Sequence, residues 1–179
     1  MTTPTASAPD LRYPVGHYAL PDADASTYTR LIDQIAALPA TFRAAVSGLS
    51  DAQLDTPYRD GGWTVRQVIH HVPDSHMNAY IRFKLALTED APRIKPYEEA
   101  RWAELADAKM APDVSLALLD ALHARWVTIL RSMTPADFER PYDHPEMGLV
   151  SLRLALGIYA WHGRHHTAHV TGLRERMGW

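Results

Sequence analysis

The sequence predicts an all-α fold, an antiparallel four-helix bundle with short extra helices and long crossing loops. Three observations predict it. Four long segments repeat apolar residues at steps of three and four. Capping signals and Gly/Pro-rich connectors separate those segments. No run reads as a β-strand. At 179 residues and 46% hydrophobic, the chain is long enough to bury one core without disulfides or metal as scaffolding.

The first segment runs from about Ala25 to Gly48 on Leu31, Ile35, Leu38, Phe42 and Val46, with Pro39 predicting a kink. "SDAQ", residues 50–53, is a capping box for one short turn, and "TPYRDGGW" reads as a tight loop. A second capping box, Thr64 to Gln67, opens a helix reaching about Thr88 on Val65, Ile69, Val72, His76, Tyr80, Phe83 and Leu87. The connector "APRIKPYEEARWAELADAKMAPD" is long for a bundle link, holds one short helix near residues 97–107, and has the character of a segment that caps a site. The third helix covers Val114 to Ser132 on Leu119, Leu122, Trp126, Ile129 and Met133. Thr134-Pro135 starts a short turn and "RPYDHPEMG" reads as loop. The last helix follows Ser151 and reaches about Met177, where Gly178 supplies the stop. The domain thus spans residues 11–179, behind a disordered tail at residues 1–10.

Composition excludes several classes. Net charge is −3, and Lys and Arg are scattered rather than gathered into a stripe, so no footprint for nucleic acid or anionic lipid is present and a small-molecule partner is expected. The absence of cysteine removes thiolate metal sites and any sulfur nucleophile of the chain's own, so thiol chemistry requires a soluble thiol as cosubstrate. "MTTPTASAPD" has neither a basic residue nor an apolar core, and no segment is a membrane span. The expected location is cytoplasmic.

The histidines are concentrated. "YAWHGRHHTAHV" holds His162, His165, His166 and His169 within eight positions. His162/His166 and His165/His169 are each one helical turn apart, about 5–6 Å between Cβ atoms, which suits two ligands of one metal. Spacing does not choose between the pairs. "IHHVPDSH" offers a third ligand in His70, His71 or His76, and a bundle brings the middles of the two helices together. All-nitrogen ligation favours zinc, nickel, copper or iron over magnesium or calcium. Gly163 occupies the position at which H-E-x-x-H peptidases carry their general base, which argues against that class. Asp74, three residues after His71, is a candidate to orient a ligand ring. Trp63, Trp102, Trp126 and Trp161 read as core, His123 and His144 as structural or surface groups, and Arg66, Arg82 and Arg164 as exposed helix charges.

"LRYPVGHY", "LDTPYRDGGWTVRQVIHHVPDSHMNAYIRFKLALTED", "SLALLDALHARW" and "YAWHGRHHTAHV" together resemble the YfiT branch of the DinB-like metalloprotein superfamily, over roughly residues 11–179. The resemblance implies a four-helix bundle holding one divalent metal per chain, zinc or nickel. It implies His71, His162 and His166 as the ligands, leaving His165 and His169 as candidate catalytic groups beside them and His70 pointing elsewhere. It also implies a homodimer, and either metal-dependent hydrolysis or transfer of a low-molecular-weight thiol such as bacillithiol to an electrophile.

Three neutral imidazoles leave a divalent metal its full charge, enough to bring the pKa of a bound water to about 7 or to deprotonate a bound thiol. The sequence places no Glu beside the ligands to serve as general base, which favours thiol transfer. Hydrolysis of an amide or ester is the alternative, and a non-catalytic metal-binding stress-response bundle a further one.

Overall fold

The computed structural model describes residues 10–20 and 24–179. The expected tail lies outside these residues except for Asp10, which accepts hydrogen bonds from the Arg12 guanidinium and backbone and so begins an ordered turn. The helices are α1 (Ala25–Val46), α2 (Asp51–Leu54), α3 (Val65–Thr88), α4 (Glu99–Trp102), α5 (Pro112–Ser132), α6 (Pro135–Phe138) and α7 (Leu152–Met177), with a 3-10 turn at Ala106–Lys109.

Three of the four long helices start at a side-chain cap. The Asp24 side chain accepts from the Thr27 amide at α1, Thr64 and Gln67 form the reciprocal box at α3, and Ser151 caps α7. α5 starts two residues earlier than its periodicity implies, because Pro112 occupies its first turn. Gly178, at φ 68°, ends α7 in the left-handed conformation.

Cross-helix pairs give the directions. Arg43 meets Asp120 and Arg131 meets Asp33, so α1 and α5 run antiparallel. Leu38 packs on Gly163 and the Ala45 carbonyl accepts from Arg174, so α1 and α7 run parallel. His70 meets Ser115 and His76 meets His123, so α3 and α5 also run parallel, which residues 89–111 make possible by crossing the length of the bundle.

One segment differs from expectation. Residues 141–151 form a hairpin, β1 (Pro141–His144) paired antiparallel with β2 (Gly148–Ser151), Tyr142 opposite Val150. Strands of four residues are too short to establish a two-residue alternation, and Pro141 and Pro145 disguise them as loop. Gly148, at φ 71°, closes the turn. The outer edge of β1 is covered by residues 92–94, with the Ile94 amide donating to the Asp143 carbonyl. No helix among the described residues is long and apolar enough to cross a membrane.

The core divides in two. One apolar cluster gathers Tyr28, Ile35, Phe83, Trp126 and Leu156, and the other gathers Phe42, Val65, Ile69, Leu119 and Val170. On α3 and α7 the first lies toward one end and the second toward the other; the segments between carry His76, His162 and His166, and His71 sits at the near edge of the second. A layer of imidazoles thus separates two hydrocarbon cores.

Candidate metal centre

α3 contributes His71, and α7 contributes His162 and His166 from successive turns. The Nε2 atoms of His71 and His162 stand 3.3 Å apart, and those of His162 and His166 3.1 Å apart. Two nitrogens each about 2.1 Å from a tetrahedrally held zinc stand about 3.4 Å apart. Three nitrogens therefore converge at a spacing that fits one small cation. The rings are not coplanar: His162 and His166 are tilted 72° from each other, and His71 and His166 67°. Trp63 packs against His71 with centroids 4.6 Å apart.

The local sequence explains this convergence. Gly163 follows the first α7 histidine and faces α1, where a Cβ would stand 2.6 Å from Leu38 Cδ2. Its missing side chain lets α7 lie close to α1. A glutamate at that position would require the Leu38 side chain to move, so the difference from H-E-x-x-H is matched by the packing.

Burial sets the protonation state. The pKa of His71 is pushed down to about 4 by desolvation. His162 and His166 are held well below the ordinary histidine range, first by desolvation and then by the neighbouring imidazoles. All three are neutral at pH 7, with a lone pair available on each ring.

His165 and His169 lie beside this triad and are also buried. Together with His166 they form a second group whose candidate donor atoms lie within 4.8 Å of one another. Because that group shares His166 with the first, the two compete for one ring unless it bridges. Trp161 stacks on His165 at 4.4 Å and Tyr58 stacks on His169 at 3.9 Å. The Trp161 indole donates to the Gly16 carbonyl, fastening the N-terminal segment against α7. Desolvation also lowers the pKa values of His165 and His169 to about 4.

The other histidines separate clearly. His70 points at α5: its Nε2–H donates to the Met110 carbonyl, which can only accept, so its Nδ1 accepts from the Ser115 hydroxyl at 2.7 Å. His144 accepts from the Glu146 amide in the hairpin. His76, offered by the sequence as a third-ligand candidate, and His123, read there as structural or surface, are 0% and 2% exposed, and they lead from the interior to Nδ1 of His162. The sequence signal for them was their place within the apolar stripes of α3 and α5, where a polar residue must find a buried partner.

Three further assignments change. No hydrogen bond joins Asp74 to His71 among the described residues; Asp74 is half-buried, and desolvation followed by repulsion from Asp107 pushes its pKa up to about 6. Arg82 is buried rather than exposed, beside Tyr142 and Tyr159. Trp126 is fully buried as expected, whereas Trp63, Trp102 and Trp161 are only partly buried and pack on His71, Tyr97 and His165. Arg66 is neutralised by Asp51 and Asp55, and Arg164 is exposed.

Residues 34–170 match the model of the DinB superfamily. A Bacillus mycoides protein named "Putative metal-dependent hydrolase" is 57% identical over 171 residues, covering 95% of this chain and 99% of its own length. A Bacillus cereus protein of the same name is 57% identical over 172 residues, again covering 95% and 99%. Among solved structures, YfiT from Bacillus subtilis, described as a probable metal-dependent hydrolase with an unusual four-helix bundle topology, superimposes with a TM-score of 0.91 at 51% identity over 94% of this chain and 98% of its own. The four-helix bundle protein TT2238, at 20% identity and a TM-score of 0.55 over 85% of this chain and 99% of its own, shares the fold.

Proposed function

Since this chain belongs to the DinB superfamily, we propose that it is a metal-dependent enzyme whose His71, His162 and His166 hold one divalent cation, zinc or nickel, and that it activates a low-molecular-weight thiol for attack on an electrophilic small molecule. The observation that carries the metal site is the convergence of three Nε2 atoms at 3.1 and 3.3 Å. When bound, such a metal supplies Lewis acidity, drawing the proton from a thiol or water at its open position.

The chain's own residues do the rest. Three imidazoles contribute no charge, so the cation keeps both of its own. The packing of Trp63 on His71 shields one side of the triad from water. Thiol transfer is preferred over water attack because its nucleophile needs less help from a protein base. Among the described residues no carboxylate is hydrogen-bonded to the triad, and the nearby His165 and His169, with pKa values near 4, are weak bases at neutral pH. Both rings remain acceptors throughout the neutral range, which suits them to orienting a donor group of the substrate. In the transfer itself the S–C bond forms and the C–halogen or epoxide C–O bond breaks with its electron pair leaving on the halide or oxygen, while the thiol proton passes to solvent or, in the epoxide case, is balanced by the proton the new alkoxide takes up.

Hydrolysis of an amide or ester is the second reading, favoured by the names of the Bacillus relatives. Zinc-loaded and nickel-loaded protein, incubated with a bacillithiol-type thiol and an alkylating fluorophore, should form the S-alkyl adduct faster than chelator-treated protein. Ester or amide cleavage that proceeds without thiol, with no acceleration of adduct formation, would replace the transferase reading by the hydrolase one.

A further inference from the structure

The interior of the bundle contains a run of hydrogen bonds whose direction is dictated from one end. Pro39 lies inside α1 and has no N–H, so the Ile35 carbonyl loses the partner that an ordinary helix residue four positions on would give it. That carbonyl instead faces Nδ1 of His123, at 2.7 Å. A carbonyl oxygen can only accept, so His123 Nδ1 carries the hydrogen. The other nitrogen of a neutral His123, Nε2, is then an acceptor, and Nδ1 of His76 stands 3.0 Å from it. His76 therefore donates from Nδ1 and accepts at Nε2, which is 3.1 Å from Nδ1 of His162. His162 must donate from Nδ1, and its Nε2 is left with a bare lone pair, aimed at the Nε2 atoms of His71 and His166.

We propose that His76 and His123 are positioning residues, forming a relay from the Ile35 carbonyl that fixes His162 as the Nδ1–H tautomer and presents its Nε2 to the metal centre. The relay draws one group from each long helix: Ile35 from α1, His123 from α5, His76 from α3 and His162 from α7. Its members cannot rotate freely, since Trp126 and Tyr159 meet the His76 ring edge-on at 5.8 and 5.3 Å and His123 stacks on it at 5.0 Å. A ligating histidine is ordinarily oriented by a carboxylate or a carbonyl on its other nitrogen. Here a carbonyl does so through two intervening imidazoles, and neutral imidazoles convey direction without adding negative charge to the ligand. The inference rests on the reading of His162 as a ligand, but its tautomer can be measured without any metal.

The test is the ring-nitrogen spectrum of uniformly 15N-labelled, chelator-treated protein at pH 7, with zinc affinity measured for wild type and variants. His76, His123 and His162 should all be Nδ1–H tautomers, the less populated form of free histidine in water. His76→Leu should release His162 from that tautomer and weaken zinc binding by about 10–100-fold. His76→Gln, which keeps an acceptor for His162, should restore most of the affinity. A protonated Nε2 on His162 in the wild type, or equal zinc affinity in the Leu variant and the wild type, would overturn the relay. So would equal losses in the Leu and Gln variants, since a packing defect does not distinguish an acceptor from a methyl group. If the three Nδ1–H tautomers are present but wild type takes up no zinc or nickel, the relay stands and the metal-centre reading falls.

Discussion

A histidine is a ligand only when it is neutral, correctly turned and close to the others, and each condition has a separate cause in this chain. Neutrality comes from burial, which holds His71 near a pKa of 4. Turning comes from contacts such as the approach of His76 to His162. Proximity comes from the one-turn spacing on α7 and its packing against α3. Replacing His71, His162 or His166 singly by Ala should abolish stoichiometric zinc or nickel uptake, by elemental analysis, while far-UV circular dichroism stays that of a helical bundle, because both apolar cores are built from other residues. Full metal content in all three variants would sink the assignment. The spacing of this site was legible in "HGRHH", but the choice of pair was not, because both i, i+4 pairs turn out to face the interior, His165, His166 and His169 buried and His162 partly so. The contacts of His123, read only as a structural or surface group, were not legible for a related reason: they depend on which helix lies opposite it, and the sequence of α5 carries no mark of α1.

At the scale of the element, legibility followed local chemistry. The starts of α3 and α7 were readable because side-chain caps specify them, and a terminal glycine marks the end of α7. The hairpin was not, because its four-residue strands are stabilised by the crossing segment on β1 rather than by any pattern of their own. The Thr64 box does more than start a helix. Its Oγ1 accepts from the Gln67 amide at 3.1 Å, the Gln67 carboxamide oxygen accepts from the Thr64 amide at 3.0 Å, and the Gln67 amide group donates onward to the Ala103 carbonyl at 3.1 Å. The cap of α3 is thereby tied to the segment that crosses the bundle. Thr64→Ala should cost about 1 kcal/mol in denaturant unfolding. Gln67→Ala should cost more, because it breaks both the box and the tie; a smaller loss than in Thr64→Ala would show that the crossing segment holds its place without it.

The whole molecule is two hydrocarbon cores with a layer of neutral imidazoles between them, and that layer governs its behaviour in acid. His71, His123, His165 and His169 have folded-state pKa values near 4, against 6.5 for an ordinary histidine, in each case with desolvation as the largest cause. Well above pH 6.5 these rings are neutral whether the chain is folded or not, and they leave stability independent of pH. Between 6.5 and 4 the unfolded chain takes up protons that the folded chain refuses, so stability falls as pH falls, by up to about 1.4 kcal/mol per group per pH unit. Asp74, pushed up to about 6, acts in the opposite sense, since it keeps its proton in the folded chain, but it is one group against several. Domain stabilities are typically about 5–15 kcal/mol, so two or three such histidines remove a large share of that by about pH 4. Urea midpoints measured with chelator present should therefore decline steadily from pH 6.5 downward, whereas acid loss driven by paired carboxylates would leave a plateau to below pH 5. Such a plateau would mean that the imidazole layer admits water and protons in solution. A bound cation should shift the decline to lower pH, because protons must then displace the metal as well as enter the core.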